Sequence, residues 1–202
     1  MTPRGAGVVR IIGGVWKRSK LSVPDKPGLR PTPDRVRETL FNWLGQDLTG
    51  WRCIDAFAGS GALGFEAASR GAADVRLFEL DKSLAAGLRT QAQRLGASQI
   101  QVHAGNALTA LAQCPPGVWD AVFLDPPFGA PEVEGQPSLF RQALALALPL
   151  LGPQGWLYLE APRAWADDEL NALGLCRVRY LKAGTVHGHL MQALPTAGGS
   201  GG

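Results

Sequence analysis

The segment DAVFLDPPFG, residues 120–129, concentrates chemistry in one place. Ala121 to Leu124 run without a polar break, and Asp125, Pro126, Pro127 and Phe128 follow at once. Proline has no N–H and a fixed φ, so the pair removes two donors and holds the nearby carbonyls rigidly. With the Asp125 carboxylate, those carbonyls make a cluster of acceptors. The matching ligand carries two N–H bonds on one nitrogen, as an exocyclic amine does. Phe128 offers a face on which a planar ring can stack. The lone pair of such an amine is conjugated with its ring. Acceptors gripping both hydrogens would turn it toward an electrophile, and Asp125 could take the proton that is shed. The plainer reading is a turn with Phe128 in the core.

A second motif, CIDAFAGSGALG at residues 53–64, leaves an apolar run and enters a helical pattern. Gly59, Gly61 and Gly64 match G-x-G-x-x-G in that context, a loop that many nucleotides use. The acids discriminate among them. A dinucleotide would bring a pyrophosphate to this turn, where Asp55, four residues before Gly59, is unfavourable. S-adenosylmethionine (SAM) has no phosphate. Its sulfonium and ammonium are both positive, and a carboxylate suits them. Glu79, 20 residues after Gly59, can accept hydrogen bonds from both ribose hydroxyls. Asn106 can pair with the adenine edge through its side-chain amide. Asp55, Gly59, Gly61, Glu79 and Asn106, with their sequence neighbours Phe57, Ala58, Ser60, Leu80 and Ala107, make up the candidate cofactor set, with SAM as the expected cofactor. NAD binding, and glycines that serve only tight helix–sheet packing, are the competing readings. No metal is required, and none of the three cysteines or three histidines has metal-ligand spacing.

Apolar strands and helical patterns alternate behind these motifs. Strands are expected at 51–57, 74–80, 99–105, 119–125 and 155–162, with helices at 60–70, 81–95, 107–113, 138–151 and 165–173 between and after them. This alternation implies an α/β fold with a mostly parallel sheet covered by helices on both faces. Asp55, Glu79, Asn106 and Asp125 then fall at the carboxyl ends of successive strands, where open α/β sheets bind ligands. Two adjacent strands, 176–184 and 185–194, close the sheet as a hairpin. His187 and His189 share one face there and read as partly exposed residues near RNA; His103 reads as an ordinary strand residue.

Ahead of the alternation lies a hairpin around Gly13-Gly14, residues 8–23. Thr32 is a good N-cap for a helix over 33–45, with Pro33 at its first position. Val36, Leu40, Trp43 and Leu44 form its inward face. Residues 1–37 carry nine Lys or Arg against two Asp, which leaves the rest of the chain acidic. A basic front of this kind suits a polyanion. The RNA-binding set is Arg10, Lys17, Arg18, Lys20, Lys26 and Arg30, on an arm expected to be dispensable for cofactor binding. The expected organisation is a hairpin extension over 1–30, a catalytic domain over 31–195 and a disordered tail over 196–202. The longest apolar run, Ala143 to Leu151, contains Pro149 and is too short to span a membrane.

DAFAGSGALGFEAASRGA together with DPPF resembles the amine-directed SAM-dependent methyltransferases. RIIGGVWKRSKL, followed by LRPTPDRVRETLFNWL, closely resembles the RsmD family, which methylates guanine N2 in bacterial small-subunit ribosomal RNA. The likeness runs from about Arg10 to Leu194. It implies a seven-stranded Rossmann-like methyltransferase fold. It also implies a small-subunit ribosomal RNA or ribosomal particle as substrate. A monomer is expected, and three scattered cysteines, Cys53, Cys114 and Cys176, with neither metal spacing nor an even disulfide set, favour the cytoplasm. The family's cofactor loop matches Asp55 to Gly61, its ribose-binding acid Glu79, and its catalytic tetrapeptide Asp125, Pro126, Pro127 and Phe128. Related families often carry Asp where this chain has Asn106. Two other functions fit the same motifs: an N6-adenine methyltransferase of DNA or RNA, and a non-catalytic SAM- or RNA-binding assembly factor.

Overall fold

The computed structural model describes residues 7–26, 29, 32–129, 135 and 137–195. Strands β1 (Gly7–Arg10) and β2 (Lys20–Val23) pair antiparallel, and helix α1 (Asp34–Trp43) follows. Then come β3 (Arg52–Asp55), α2 (Ala62–Ser69), β4 (Asp74–Glu79), α3 (Lys82–Leu95), β5 (Ile100–Ala104) and α4 (Ala107–Ala112). The chain continues through β6 (Trp119–Leu124), α5 (Leu139–Ala147), β7 (Leu151–Ala161), α6 (Asp167–Asn171), β8 (Leu175–Ala183) and β9 (Val186–Ala193).

The seven strands from β3 onward form one sheet in the order β5-β4-β3-β6-β7-β9-β8. All neighbours are parallel except β9, which runs antiparallel to both β7 and β8. The chain enters this sheet at β3, winds out to β5 and returns to β6 on the other side of β3. Strand order therefore reverses between β3 and β6, and a crevice opens at their carboxyl ends. Both faces of the sheet are covered. Accordingly Ala121 to Leu124 of β6 are at most 1% exposed. One core packs α1, α2, α3 and the β1–β2 hairpin on one face; the other packs α4, α5 and α6 on the opposite face.

Three local expectations need correction. Thr32 is not a side-chain cap. It is buried, its carbonyl accepts from Arg37 Nε at 3.3 Å, and Pro33 occupies the cap position. Asp34 supplies the first-turn negative charge instead, paired with Arg37 at 2.6 Å. The helix expected to reach 151 stops at Ala147, and a tighter turn covers Leu148–Leu150. Pro149 lacks the N–H that would continue it, and β7 begins at Leu151, earlier than expected. His189 is fully buried rather than partly exposed, because β9 is inserted between β7 and β8. Its Nε2 accepts from the Trp165 N–H at 3.1 Å, and burial pushes its pKa down to about 4. His187 is half-exposed, and His103 is an exposed residue of β5 beside Phe78.

The hairpin is not a free arm. Val9, Ile11, Leu21 and Val23 belong to the main core. The segment between its strands, residues 11–19, is fastened to the end of α2. Val15 N–H donates to the Ser69 carbonyl at 2.7 Å, and Trp16 N–H donates to Ser69 Oγ at 2.9 Å. Gly14 sits at φ +72°, and a Cβ there would lie 1.8 Å from the Ser69 oxygen, so only glycine fits.

Candidate active site

The glycine loop is shaped by carboxylates. Asp55 ends β3 and is 2% exposed; its Oδ2 accepts from the Gly64 N–H at 2.9 Å. Glu79 ends β4. Its Oε2 accepts from Gly59 N–H at 2.8 Å, and its Oε1 from Asp81 N–H at 2.7 Å. Gly59 and Gly61 take φ of +51° and +75°, which turns the backbone sharply into α2. In a phosphate-binding loop the N–H groups at this turn point to the ligand. Here the N–H groups of Gly59 and Gly64 are directed at acids. A crevice so lined suits a cation and disfavours a pyrophosphate.

Burial, with Glu79 and Glu160 nearby, raises the Asp55 carboxyl to about 7. A positive ligand would draw it back to its charged form. Glu79 retains further lone pairs for donors such as hydroxyls, since each carboxylate oxygen can accept more than one hydrogen bond. Leu80, beside it, is 70% exposed and presents an apolar surface at the crevice rim. Asn106 caps α4: its Oδ1 accepts from Leu108 and Thr109 N–H at 2.8 and 3.2 Å. That use of the oxygen directs the side-chain NH₂ to any outside partner. Phe57 is half-buried, Ala58, Ser60 and Ala107 are buried, and the Ala58 N–H donates to the Phe78 carbonyl at 2.9 Å.

Beside this loop, β6 delivers Asp125 next to Asp55, because Phe123 pairs with Asp55 in register. Burial raises the Asp125 carboxyl well above its usual range, and Glu160 and Asp55 add to the effect. Pro126 is buried, Pro127 is exposed, and Phe128 is 39% exposed. The Phe128 ring is not in the core; it rests 6.3 Å from Phe140 at the first turn of α5, tilted by 47°. The exposed ring thus has a second aromatic ring as its neighbour.

Glu160 was missing from the sequence-based set. It is 2% exposed, one position beyond Leu159, which pairs with Leu124. Tyr158 Oη donates to its Oε1 at 3.2 Å. The signal was available in LYLE, an apolar run ending in an acid as β3, β4 and β6 do. Four neighbouring strand ends therefore bring acids toward one crevice. Among the described residues no group of His, Cys, Asp and Glu is placed to hold a metal ion.

The basic residues are not gathered there. Lys17 and Arg18 lie in the turn fastened to Ser69, at the end of α2 opposite the glycine loop. An eight-residue helix separates the two sites by about 12 Å. Lys26 is at the crevice end but is paired with Asp81 and Ser83. Arg10 and Lys20 are exposed on the hairpin, and Arg30 lies outside the described residues.

A family model described as "Conserved hypothetical protein 95" matches residues 9–192, from β1 to β9. The Escherichia coli (strain K12) protein named Ribosomal RNA small subunit methyltransferase D is 46% identical over 159 residues, covering 78% of this chain and 73% of that one. This chain belongs to the RsmD family. A second RsmD relative, the Haemophilus influenzae protein of the same name, is 44% identical over 168 residues, covering 80% of this chain and 83% of its own. The solved structure described as "Putative methyltransferase yhhF from Escherichia coli" superposes with a TM-score of 0.75 at 39% identity, over 93% of this chain and 99% of that one. The match to the RsmD family model takes in the hairpin, the glycine loop and the tetrapeptide together.

Proposed function

We propose that the protein transfers a methyl group from SAM to the exocyclic N2 amine of a guanine in small-subunit ribosomal RNA. The observation that carries this reading is the row of strand-end acids. It pairs a carboxylate-lined cofactor crevice with an acceptor cluster that ends in an exposed aromatic ring. Both proteins named Ribosomal RNA small subunit methyltransferase D support the choice of substrate.

SAM would be held by Asp55 and Glu79 at the ends of β3 and β4, by the Gly59–Gly61 turn, and by the Asn106 NH₂ and Leu80 at the adenine. When bound, it supplies a methyl group on a positively charged sulfur. The remaining work falls to the protein. Phe128 stacks the guanine. Asp125 and the rigid carbonyls around Pro126 and Pro127 accept the amine's N–H bonds and orient its lone pair. Ionised beside the cofactor's positive charge, Asp125 would receive the proton shed as the N–C bond forms and the methyl–sulfur bond breaks, in a site whose burial raises its proton affinity.

Asp125→Asn tests this directly. The variant keeps one acceptor and loses the base, so kcat should fall by at least about 10² while SAM affinity, read by calorimetry, stays within a few-fold. Labelled SAM is incubated with unmodified small subunits, and the RNA is digested to nucleosides. N2-methylguanosine is the expected product. N6-methyladenosine would move the target to adenine. An absence of turnover by the wild-type protein would remove the catalytic reading.

A further inference from the structure

The cofactor acids end β3 and β4, Asn106 follows β5, and the tetrapeptide ends β6. The other half of the same sheet edge is made by β7, β9 and β8. Because β9 is antiparallel to both of its neighbours, β8 runs with β7, and the β8–β9 turn lies at the catalytic end. One register row runs from Leu124 through Leu159 and His189 to Tyr180. Three strand steps of about 4.8 Å place Tyr180 about 14 Å from the residue that precedes Asp125. The next exposed residue on that face of β8 is Lys182, opposite His187.

Tyr180 is 40% exposed, yet its ring is fixed. Its Oη lies 2.7 Å from His187 Nδ1. Its ring centroid is 5.3 Å from the ring of His189, and the Arg177 guanidinium carbon is 5.4 Å from that centroid. Arg177 is anchored in turn: it donates to the Trp165 carbonyl at 3.0 Å and pairs with Asp167 at 2.8 Å. An exposed aromatic held this way loses little freedom when a partner covers it. The whole of β8, β9 and their turn contains Arg177, Arg179, Lys182 and two histidines, and no Asp or Glu. The Arg177 charge is balanced by Asp167 of α6, so the positive charge beside the ring is that of exposed Lys182. An ordered aromatic ring with an exposed cation two residues along the strand has the two properties of a single-strand nucleic-acid platform: a stacking face and a positive neighbour.

We propose that the β8–β9 hairpin is a second contact for single-stranded RNA, with Tyr180 stacking a base that flanks the target and Lys182 meeting a phosphate. The assignment rests on the reading of the protein as an RNA methyltransferase. Its test can fail separately. Binding of a fluorescein-labelled, mixed-sequence single-stranded RNA is followed by anisotropy across a salt series, with methylation of unmodified small subunits measured in parallel. Tyr180→Ala should weaken RNA binding by about fivefold or more, and Tyr180→Trp should restore it. Lys182→Gln should flatten the slope of log affinity against log salt by about 0.7. SAM affinity should be unchanged in all three, which also shows that they fold.

Wild-type RNA affinity in both Tyr180→Ala and Lys182→Gln would overturn the proposal while the wild-type enzyme's turnover left the function standing. Weakened binding to the oligonucleotide would uphold it even if small subunits were not the substrate. A loss confined to the assembled subunit, with oligonucleotide binding intact, would assign the hairpin to a ribosomal protein and reject the RNA contact.

Discussion

Asp55 carries a charge where the fold disfavours one. Burial comes first, and Glu79 and Glu160 add to it, so its carboxyl stands at about 7 against an ordinary 3.8. The folded protein therefore binds this proton more tightly than the unfolded chain. The resulting stability is fully present below about pH 4 and is lost as pH rises through about 7. Asp55→Asn keeps an acceptor for the Gly64 N–H and removes the charge. We expect its thermal midpoint at pH 8 to exceed that of wild type by about 3–10 °C. The gap should close near pH 4. Its SAM affinity should fall by at least about tenfold, since a charge-assisted contact is gone. Scanning fluorimetry at the two pH values and calorimetry at pH 8 measure both. Equal midpoints at pH 8 would mean that Asp55 is not held in a strained charge state.

Glu66 ties three elements together. It lies on α2 and is fully buried. Its carboxylate accepts from the N–H groups of Ile12 and Gly13 at 2.9 and 2.8 Å, from Arg70 Nε at 2.9 Å and from Arg37 Nη1 at 3.4 Å. The hairpin linker, α1 and α2 thus share one anion. Neither Arg37 nor Glu66 has side-chain exposure, so removing the acid leaves buried Arg37 paired with Asp34 alone and takes from Arg70 the carboxylate it is paired with at 2.9 Å. Glu66→Ala should cost about 3–5 kcal/mol in urea unfolding. Hydrogen exchange should quicken at Ile12 and Gly13. A loss below about 1 kcal/mol would show that the network relaxes around the gap.

Over the whole molecule, the packing changes how the basic front must be tested. Deleting the hairpin would strip Val9, Ile11, Leu21 and Val23 from the main core, so the expected separable arm is better probed by removing charge. Lys17 and Arg18 are exposed and sit about 12 Å from the glycine loop along α2. They are too remote to hold the target base and well placed to meet RNA farther along a large substrate. The double variant Lys17→Gln, Arg18→Gln should flatten the salt slope of small-subunit binding by about 1.5 if both meet phosphate. SAM binding should not change. An unaltered slope would leave this turn solvated and move the RNA surface to the catalytic end.

Much of the site was legible because its signals are local. The double proline, the glycine turn and an acid closing each apolar run are properties of a few consecutive residues, and strand–helix alternation is a periodicity within single elements. That sufficed to place Asp55, Glu79, Asn106 and Asp125 at strand ends. Which strands become neighbours is decided by packing between distant segments, and no local pattern reports it. Glu160 joins the acids only because β7 lands beside β6. His189 is sealed only because β9 inserts between β7 and β8. Lys26 is spent on Asp81, and Lys17 and Arg18 are carried to the far end of α2, because the hairpin buries one face in the main core and must lie along that helix.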